Sequence, residues 1–456
     1  RNVHGWCMRV LLLTYEFTFA PFSGNGMLAR SLAKSLLALG CHLRVLCCRP
    51  THVPGLAADN HLSFPEVPHA ESLELWPVEL SEAAGWRRLD ESSAYTEFWE
   101  GVLRFGSSAA EFAPEAVIAI DWTGAGAWRR LRQAIWPDAT APKLCYLNFR
   151  VYASGSVAET ASWFDEMETI ALREAARVLA LSPADTESLA QLQLRSQHAV
   201  AAPIHILMPP LRSDLEELAR GSNGNLTLLK SALPQALERA LAAAGRSRVF
   251  VTCAVRLSRE KEPMRFVEFV EAAAGRLKDL GLTPLLFGAP ADAEYSAAVK
   301  SRLQAASTEA VIIDEFMPPV ALAAAFSATA LNFHPCRYDA YGMSIVEAAA
   351  FGAPSVINAG TTVGALQLLP ASQGASFVLL FDGKISDNAL SEEVLHLLED
   401  EAQLKSVGIT AQKLALQWSE AAYGAALLSH LRQLAEEHCS DVAESPAGAT
   451  DSDPGA

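Results

Sequence analysis

Two doubly wound α/β units, each a parallel sheet with helices on both faces, are what the sequence predicts for this chain. Three observations carry that expectation. Short apolar runs alternate with amphipathic helical stretches almost from end to end, and such alternation makes parallel strands joined by crossover helices. The alternation breaks once, between Pro209 and Arg248, and then restarts. A length of 456 residues, half of them hydrophobic, suffices for two cores of ordinary size.

The elements follow in order. MRVLLLTYEF reads as a strand, GMLARSLAKSLLALG as an amphipathic helix closed by Gly40, and HLRVLCCRP as the next strand. AVIAID (116–121) and KLCYLNF (143–149) are further strands, with the helix GAWRRLRQAI between them. WFDEMETIALREAARVLALS (163–182) runs from helix into strand, and PADTESLAQL opens another helix. The polar stretch after Pro209 holds GSNGN and two helical pieces. The rhythm resumes with RVFVTCAV (248–255), a helix from Met264 to Leu280, TPLLFGA, a helix around 293–305, VIIDEF, a helix at 319–327 and the strand ATALNF (328–333). A loop, HPCRYDAYG, leads into the helix MSIVEAAAF, with Gly352 as its C-cap; Pro354 opens the strand SVIN, and FVLLFD follows. Residues 391–437 read as mostly helical.

The expected boundaries are 8–210 for a first Rossmann-like domain, 211–247 for a linker or insertion, 248–418 for a second Rossmann-like domain, 419–438 for a helix that crosses back to the first, and 439–456 for an acidic disordered tail. Two such units are expected to bind ligand in a cleft at the carboxyl ends of their strands.

The net charge of −16 and a pI near 5.2 argue against nucleic acid and against an anionic membrane surface. Arg9, Glu16 and Arg44 interrupt the most apolar region, so no membrane span is expected. The eight cysteines (7, 41, 47, 48, 145, 253, 336, 439) lie mostly in strand-like runs, without the paired spacing of a zinc site or a disulfide framework. They read as reduced thiols of an intracellular, cytoplasmic protein; a targeting segment upstream of Arg1 stays open. The sequon Asn225-Leu-Thr227 carries no more weight than chance. Eleven histidines show no metal-ligand pair, and His334 beside Cys336 falls short of a site. Neither a metal nor a cofactor is expected.

Three stretches could carry chemistry. Asp339 and Glu347 lie eight residues apart, one outside the mouth of a helix and one inside it. Glu347 has Val346, Ala348, Ala349 and Ala350 as neighbours, and a carboxylate in a helix packed on several sides needs a partner. Arg256 stands at a strand end and Lys261 on the following loop. Arginine can fork across two phosphate oxygens and lysine supplies a mobile point charge, which suits a diphosphate. The plainer alternative is two surface cations paired with Glu260 and Glu262. Lastly, Ser23-Gly24-Asn25-Gly26-Met27-Leu28-Ala29 fits G-x-G-x-x-A, the signature of an NAD(P)-dependent oxidoreductase. Against it, the strand ends near Tyr15, well before Gly24, and the second strand ends Cys47-Cys48-Arg49 without an acid for the ribose. The other reading of Gly24 and Gly26 is a flexible loop whose amides, with the helix N-terminus, face the cleft.

Together, Arg256-Leu-Ser-Arg-Glu-Lys261 and the later DAYGMSIVEAAAFGAP resemble the second domain of retaining glycosyltransferases of family 4, which have the GT-B fold and two acids spaced E-x7-E. Ile120-Asp121-Trp122 and the Glu168…Ala180-Leu181-Ser182 segment look like that family's N-terminal domain, and Trp418-Ser419-Glu420 is similar to its C-terminal ending. The resemblance implies transfer of a sugar from a nucleotide diphosphate sugar donor, with retention and without a metal. The acceptor (sugar, glycan, lipid or small molecule) is left unnamed. It implies that Glu347 accepts hydrogen bonds from the ribose hydroxyls, and that Asp339 and the amides of Ala340 to Met343 face the donor sugar. Tyr341, Gly342, Met343 and Ser344 would line the donor, with Gly24, Gly26 and Asn148 contributed by the first unit. Arg256 and Lys261 would neutralise the departing diphosphate. The sequence departs from the family pattern at Asp339 (usually Glu), Tyr341 (commonly Phe), Val255 (often Gly), Asn25 (splitting a glycine pair) and Asn148 (frequently His). A catalytically silent nucleotide-sugar- or carbohydrate-binding protein on the same fold is the remaining alternative.

Overall fold

The computed structural model describes residues 8–19, 24–51, 70–81, 92–136, 141–152, 158–196, 201–221, 233–314, 317–358, 362–380 and 388–444. The residues fall into two units, each built on its own parallel sheet.

The first unit runs through β1 (Arg9–Thr14), α1 (Gly24–Ala38), β2 (His42–Pro50), β3 (Leu73–Leu80), α2 (Ser92–Gly101), α3 (Gly106–Phe112), β4 (Ala116–Ile120), α4 (Asp121–Ile135), β5 (Leu144–Asn148), α5 (Ala158–Glu174), β6 (Ala175–Ala180), α6 (Pro183–Arg195) and β7 (Ile204–Ile206). Its sheet has the order β3-β2-β1-β4-β5-β6-β7, every pair parallel. Val10 through Leu13 are fully buried, as near-continuous apolar strands must be when helices cover both faces. The core on one face gathers Leu11, Tyr95, Phe98, Trp122, Trp128, Tyr146 and Leu189. β3, α2 and α3 come from a stretch that the sequence reading passed over.

The second unit takes in α7 (Ser213–Gly221), α8 (Gln235–Ala243), β8 (Phe250–Ala254), α9 (Met264–Asp279), β9 (Thr283–Phe287), α10 (Ala293–Ala306), β10 (Val311–Ile313), α11 (Pro319–Ser327), β11 (Thr329–His334), β12 (Tyr338–Asp339), α12 (Met343–Ala350), β13 (Ser355–Asn358), β14 (Thr362–Val363), β15 (Phe377–Leu379), α13 (Asn388–Glu399) and α14 (Glu401–Ala415). Its main sheet has the order β10-β9-β8-β11-β13-β15, again all parallel, and β12 pairs with β14. In its core Phe269 stacks on Phe333, with Phe266 tilted against both rings.

Several boundaries differ from expectation. The stretch 211–247, read as a linker, carries α7 and α8 within the second unit, because each helix has an apolar side (Leu215, Leu237) to bury there. Leu211 N–H donates to Trp418 O at 3.0 Å, and Trp418 Nε1 donates to Met208 O at 3.0 Å. Those bonds tie the entry of this unit to its exit. The last helix, α15 (Glu420–Glu444), outruns the expected limit of 438. Ser440 Oγ bonds back to Glu436 O at 3.1 Å, so a segment that composition marks as tail-like starts as one more helical turn. From Tyr423 onward α15 packs in the first unit. Arg177 of β6 donates there to Gln433 Oε1 at 2.7 Å and Glu437 Oε1 at 2.9 Å. Residues 445–456, Asn225 and Cys7 lie outside the described residues. Cys41, Cys47, Cys48, Cys145, Cys253 and Cys336 are buried free thiols, and Cys439 is exposed.

Candidate functional site

In the second sheet β8 and β11 are neighbours, and the chain leaves them in opposite directions, toward β9 and β10 on one side and β13 and β15 on the other. The crossovers therefore diverge above the carboxyl ends of β8 and β11, opening the crevice in which folds of this type hold ligands. The loop after β8 makes one short helical turn, Arg259–Lys261. β11 ends at His334 and hands the chain to Cys336 and Asp339. The two loops meet as Lys261 Nζ and Asp339 Oδ2, 2.9 Å apart. His334 Nε2 stands 3.4 Å from the same oxygen, and Cys336 Sγ donates to Lys261 O at 3.4 Å.

Burial opposes every charge here, yet the charges hold one another. Lys261 is pushed above its ordinary value: the Asp339 carboxylate and its surroundings outweigh desolvation. Asp339 is held far below the carboxylate range, since Lys261 and then His334 overcome the cost of its burial. His334, which desolvation alone would keep neutral, is raised to about 9 by Cys336 and Asp339. Arg256 is only partly buried and pairs with Glu260 one turn on, while Glu262 pairs with Arg265 at 3.1 Å and Arg337 at 3.4 Å. Lys261 is thus not the mobile charge that the sequence suggested. It is fixed by the carboxylate read as a sugar-facing group.

α12 starts beside this cluster. Gly342, at φ +88°, forms its N-cap, a left-handed turn that a side chain resists; a Cβ there would also lie 2.8 Å from Ile345 Cδ1. No side chain caps the helix, which leaves its first amides for a ligand or water. Met343 and Ser344 are half-buried at this end. Tyr341 is buried with its hydroxyl unpartnered, and burial pushes its pKa above the ordinary value, so that it stays neutral. One turn in, Glu347 finds the partner that its apolar neighbours demanded. Arg212 reaches within 3.8 Å of it while gripping Asp214 with two bonds, at 3.1 and 2.6 Å. Burial raises the Glu347 carboxyl, and Arg212 offsets this only in part.

The first sheet repeats the arrangement between β1 and β4, whose crossovers also diverge. Asp121 is not the last strand residue, as expected, but the first of α4, at φ +53°. Its Oδ2 accepts from Asn25 Nδ2 at 2.7 Å and from the Tyr152 hydroxyl at 3.0 Å, and its Oδ1 from Phe149 N–H at 2.7 Å. Burial pushes Asp121 up to about 7 despite these donors. Gly124 lets α4 approach β1: a Cβ would stand 2.6 Å from Leu13 O.

Gly24 and Gly26 are not in a loop. They form the first turn of α1, which starts at Gly24 itself. Asn148 is fully buried, donates to Tyr146 Oη at 3.1 Å and Arg150 O at 2.9 Å, and keeps its Oδ1 without a hydrogen bond. Glu168 accepts from Tyr152 N–H at 2.6 Å.

The structure thus brings Lys261 and Asp339 together, sets Gly342 to Ser344 beside them, and gives Arg256 and Glu347 other partners. Sequence reasoning missed Arg212, which sits in the polar stretch read as a linker. It noted His334 beside Cys336 but set the pair aside, without counting Asp339 in the spacing His-x-Cys-x-x-Asp at the end of a strand.

No protein-family model matches the chain, and no match was found among curated proteins. Solved structures resemble it over nearly its whole length. Sucrose-phosphate synthase from Thermosynechococcus elongatus aligns with a TM-score of 0.68 at 16% identity, covering 94% of this chain and 100% of that one. An α,α-trehalose-phosphate synthase (UDP-forming) from Burkholderia vietnamiensis gives 0.67 at 12%, covering 96% and 99%. HepE of Anabaena, solved in complex with UDP and glucose, gives 0.62 at 15%, covering 93% and 100%. At such identities the likeness establishes architecture: the chain has the GT-B fold, with two Rossmann-like units.

Proposed function

We propose that this protein is a glycosyltransferase that moves a sugar from a nucleoside diphosphate sugar to an acceptor, with retention at the anomeric carbon and without a metal. The observation that carries the reading is the Lys261–Asp339 pair at the switch point of the second sheet, next to the uncapped start of α12. A cation, a helix N-terminus and a carboxylate at one strand-end crevice match a diphosphate and the sugar attached to it. Breaking the glycosidic bond loads negative charge onto the leaving phosphate, so a fixed ammonium stabilises the transition state more than the ground state. Arg256 would add a second cation by turning from Glu260 to the phosphates. Glu347 would take the ribose hydroxyls, and Asp339 the donor sugar. UDP is the first base to test, because the fold neighbour from Anabaena was solved with UDP and glucose.

Thermal shift against UDP, GDP, ADP and NAD(P), followed by a donor screen read out as hydrolysis or product, tests this. Stabilisation by a nucleoside diphosphate and turnover of the matching sugar donor are expected. Stabilisation by NAD(P) alone would overturn the reading. Binding of a nucleotide sugar with no turnover across acceptors would leave the silent binding protein, which the departures at Asp339 and Asn148 keep in view.

A further inference from the structure

We infer that His334, Cys336 and Asp339 form a three-ligand site for a thiophilic divalent cation of the zinc class. All three come from one six-residue stretch, His-Pro-Cys-Arg-Tyr-Asp, where β11 leaves the sheet. One ligand atom of each lies within 4.8 Å of the other two. Bonds of about 2.0 to 2.3 Å in a tetrahedral site put ligand atoms roughly 3.4 to 3.7 Å apart. His334 Nε2 and Asp339 Oδ2 already have that spacing, at 3.4 Å. With all three atoms within 4.8 Å, Cys336 has at most about 1 Å to close.

A second observation points to a ligand. His334 is 1% exposed, and its Nε2 has no partner in hydrogen-bond geometry, only the Asp339 oxygen 3.4 Å away. A core histidine kept for packing is ordinarily hydrogen-bonded; this one aims an unbonded nitrogen at a carboxylate and near a buried sulfur. One thiolate, one imidazole and one carboxylate, with a fourth position free for water, is a donor set that suits zinc and its neighbours rather than magnesium or calcium. On binding, the Cys336 thiol and the His334 imidazolium each give a proton to solvent, and the thiol's hydrogen bond to Lys261 O is lost; no electron is transferred.

Asp339 cannot serve two cations equally. The bound ion would compete with Lys261 for Oδ2, 2.9 Å from Nζ, and so act as an inhibitor of sugar transfer. That consequence rests on the proposed role of Lys261; the binding itself does not.

The test uses the full chain and Co²⁺ as a spectroscopic substitute. One equivalent should bind with a thiolate-to-cobalt absorption band and tetrahedral d–d bands, both erased by Zn²⁺. Cys336→Ser should abolish the band, and His334→Gln should weaken binding at least about 10-fold to 100-fold, the range already seen for lost outer partners of metal ligands. Cys7→Ser with Cys439→Ser should leave the band intact, and Lys261→Met, which removes the competing cation, should tighten binding. Absence of the band in the unmodified chain, or its survival in Cys336→Ser, would overturn the inference whatever the variants do to folding. Nucleotide binding without cobalt binding would sink this site alone and spare the proposed function. Cobalt binding without any nucleotide response would do the reverse. If Zn²⁺ binds yet leaves turnover unchanged, the inhibitory role is wrong.

Discussion

The Lys261 ammonium and the Asp339 carboxylate, 2.9 Å apart, join the loop after β8 to the loop after β11 where the strand order of the second sheet reverses. Asn25, in the first turn of α1, and Asp121, the first residue of α4, meet at 2.7 Å beyond the carboxyl ends of β1 and β4 in the first sheet. In each unit a polar pair closes the crevice that the topology opens.

The first prediction concerns the cations. By analogy with the loss of one oxyanion donor, Lys261→Ala should lower kcat roughly 10²–10³-fold, and Arg256→Ala should fall in the same range if it turns from Glu260 to the phosphates. The double variant should lose less than the product of the two, because both act on one charge. Arg256→Lys should rescue only in part, since the fork is lost. If Arg256 is only a surface partner of Glu260, its removal shifts turnover by less than about 0.5 kcal/mol. Near-wild-type rates in both single variants would remove the phosphate site.

Glu347 and Arg212 come next. Glu347→Gln should weaken nucleoside diphosphate binding by roughly 1.5–3 kcal/mol, the range of a charge-assisted hydrogen bond. The fold should persist, because Arg212 keeps its two bonds to Asp214. Arg212→Met strips the counter-charge from a carboxyl already raised by burial, so the pH at which nucleotide binding fails should move upward. Isothermal titration of UDP into each variant decides; an unchanged affinity in Glu347→Gln would refute the ribose assignment.

Chelation gives the third test. With Lys261 and Arg256 as the cations of the diphosphate, turnover should persist in excess EDTA. Loss of activity restored by Mg²⁺ or Mn²⁺ would contradict the role given to them.

The fourth concerns Asp121, a buried carboxyl raised from 3.8 to about 7. A folded pKa above the unfolded one means that its stabilising contribution is complete below about pH 4 and is lost as pH rises through 7. The difference is on the order of 4 kcal/mol. Asp121→Asn keeps the shape, and Asn25 and Tyr152 can reorient toward it. Chemical denaturation should therefore show a fall in first-unit stability between pH 4 and 8 in the wild type, and a flatter profile in the variant. Parallel profiles would show that Asp121 is ionised throughout.

The alternation of apolar runs and amphipathic helices determined, by itself, two doubly wound parallel sheets; most strands that were read came within one to three residues of their observed limits, and β3 was not read at all. Period and hydrophobicity are local properties, so the residues that set them can be read in place. Glu347's need for a partner was legible for the same reason, in the alanines around it. The partner was not. Arg212 is far from Glu347 in sequence and meets it only because α7 packs within the second unit. Lys261 and Asp339 each looked like separate ligand groups; their ion pair depends on β8 and β11 being neighbours, which strand order alone decides. Gly24 and Gly26 looked like a loop because glycine permits many conformations, and tertiary packing chose a helix. Sequence determines which segments are buried and which residues carry charge. Tertiary structure decides which charges meet, because a pairing across the sheet is a property of topology, not of either segment.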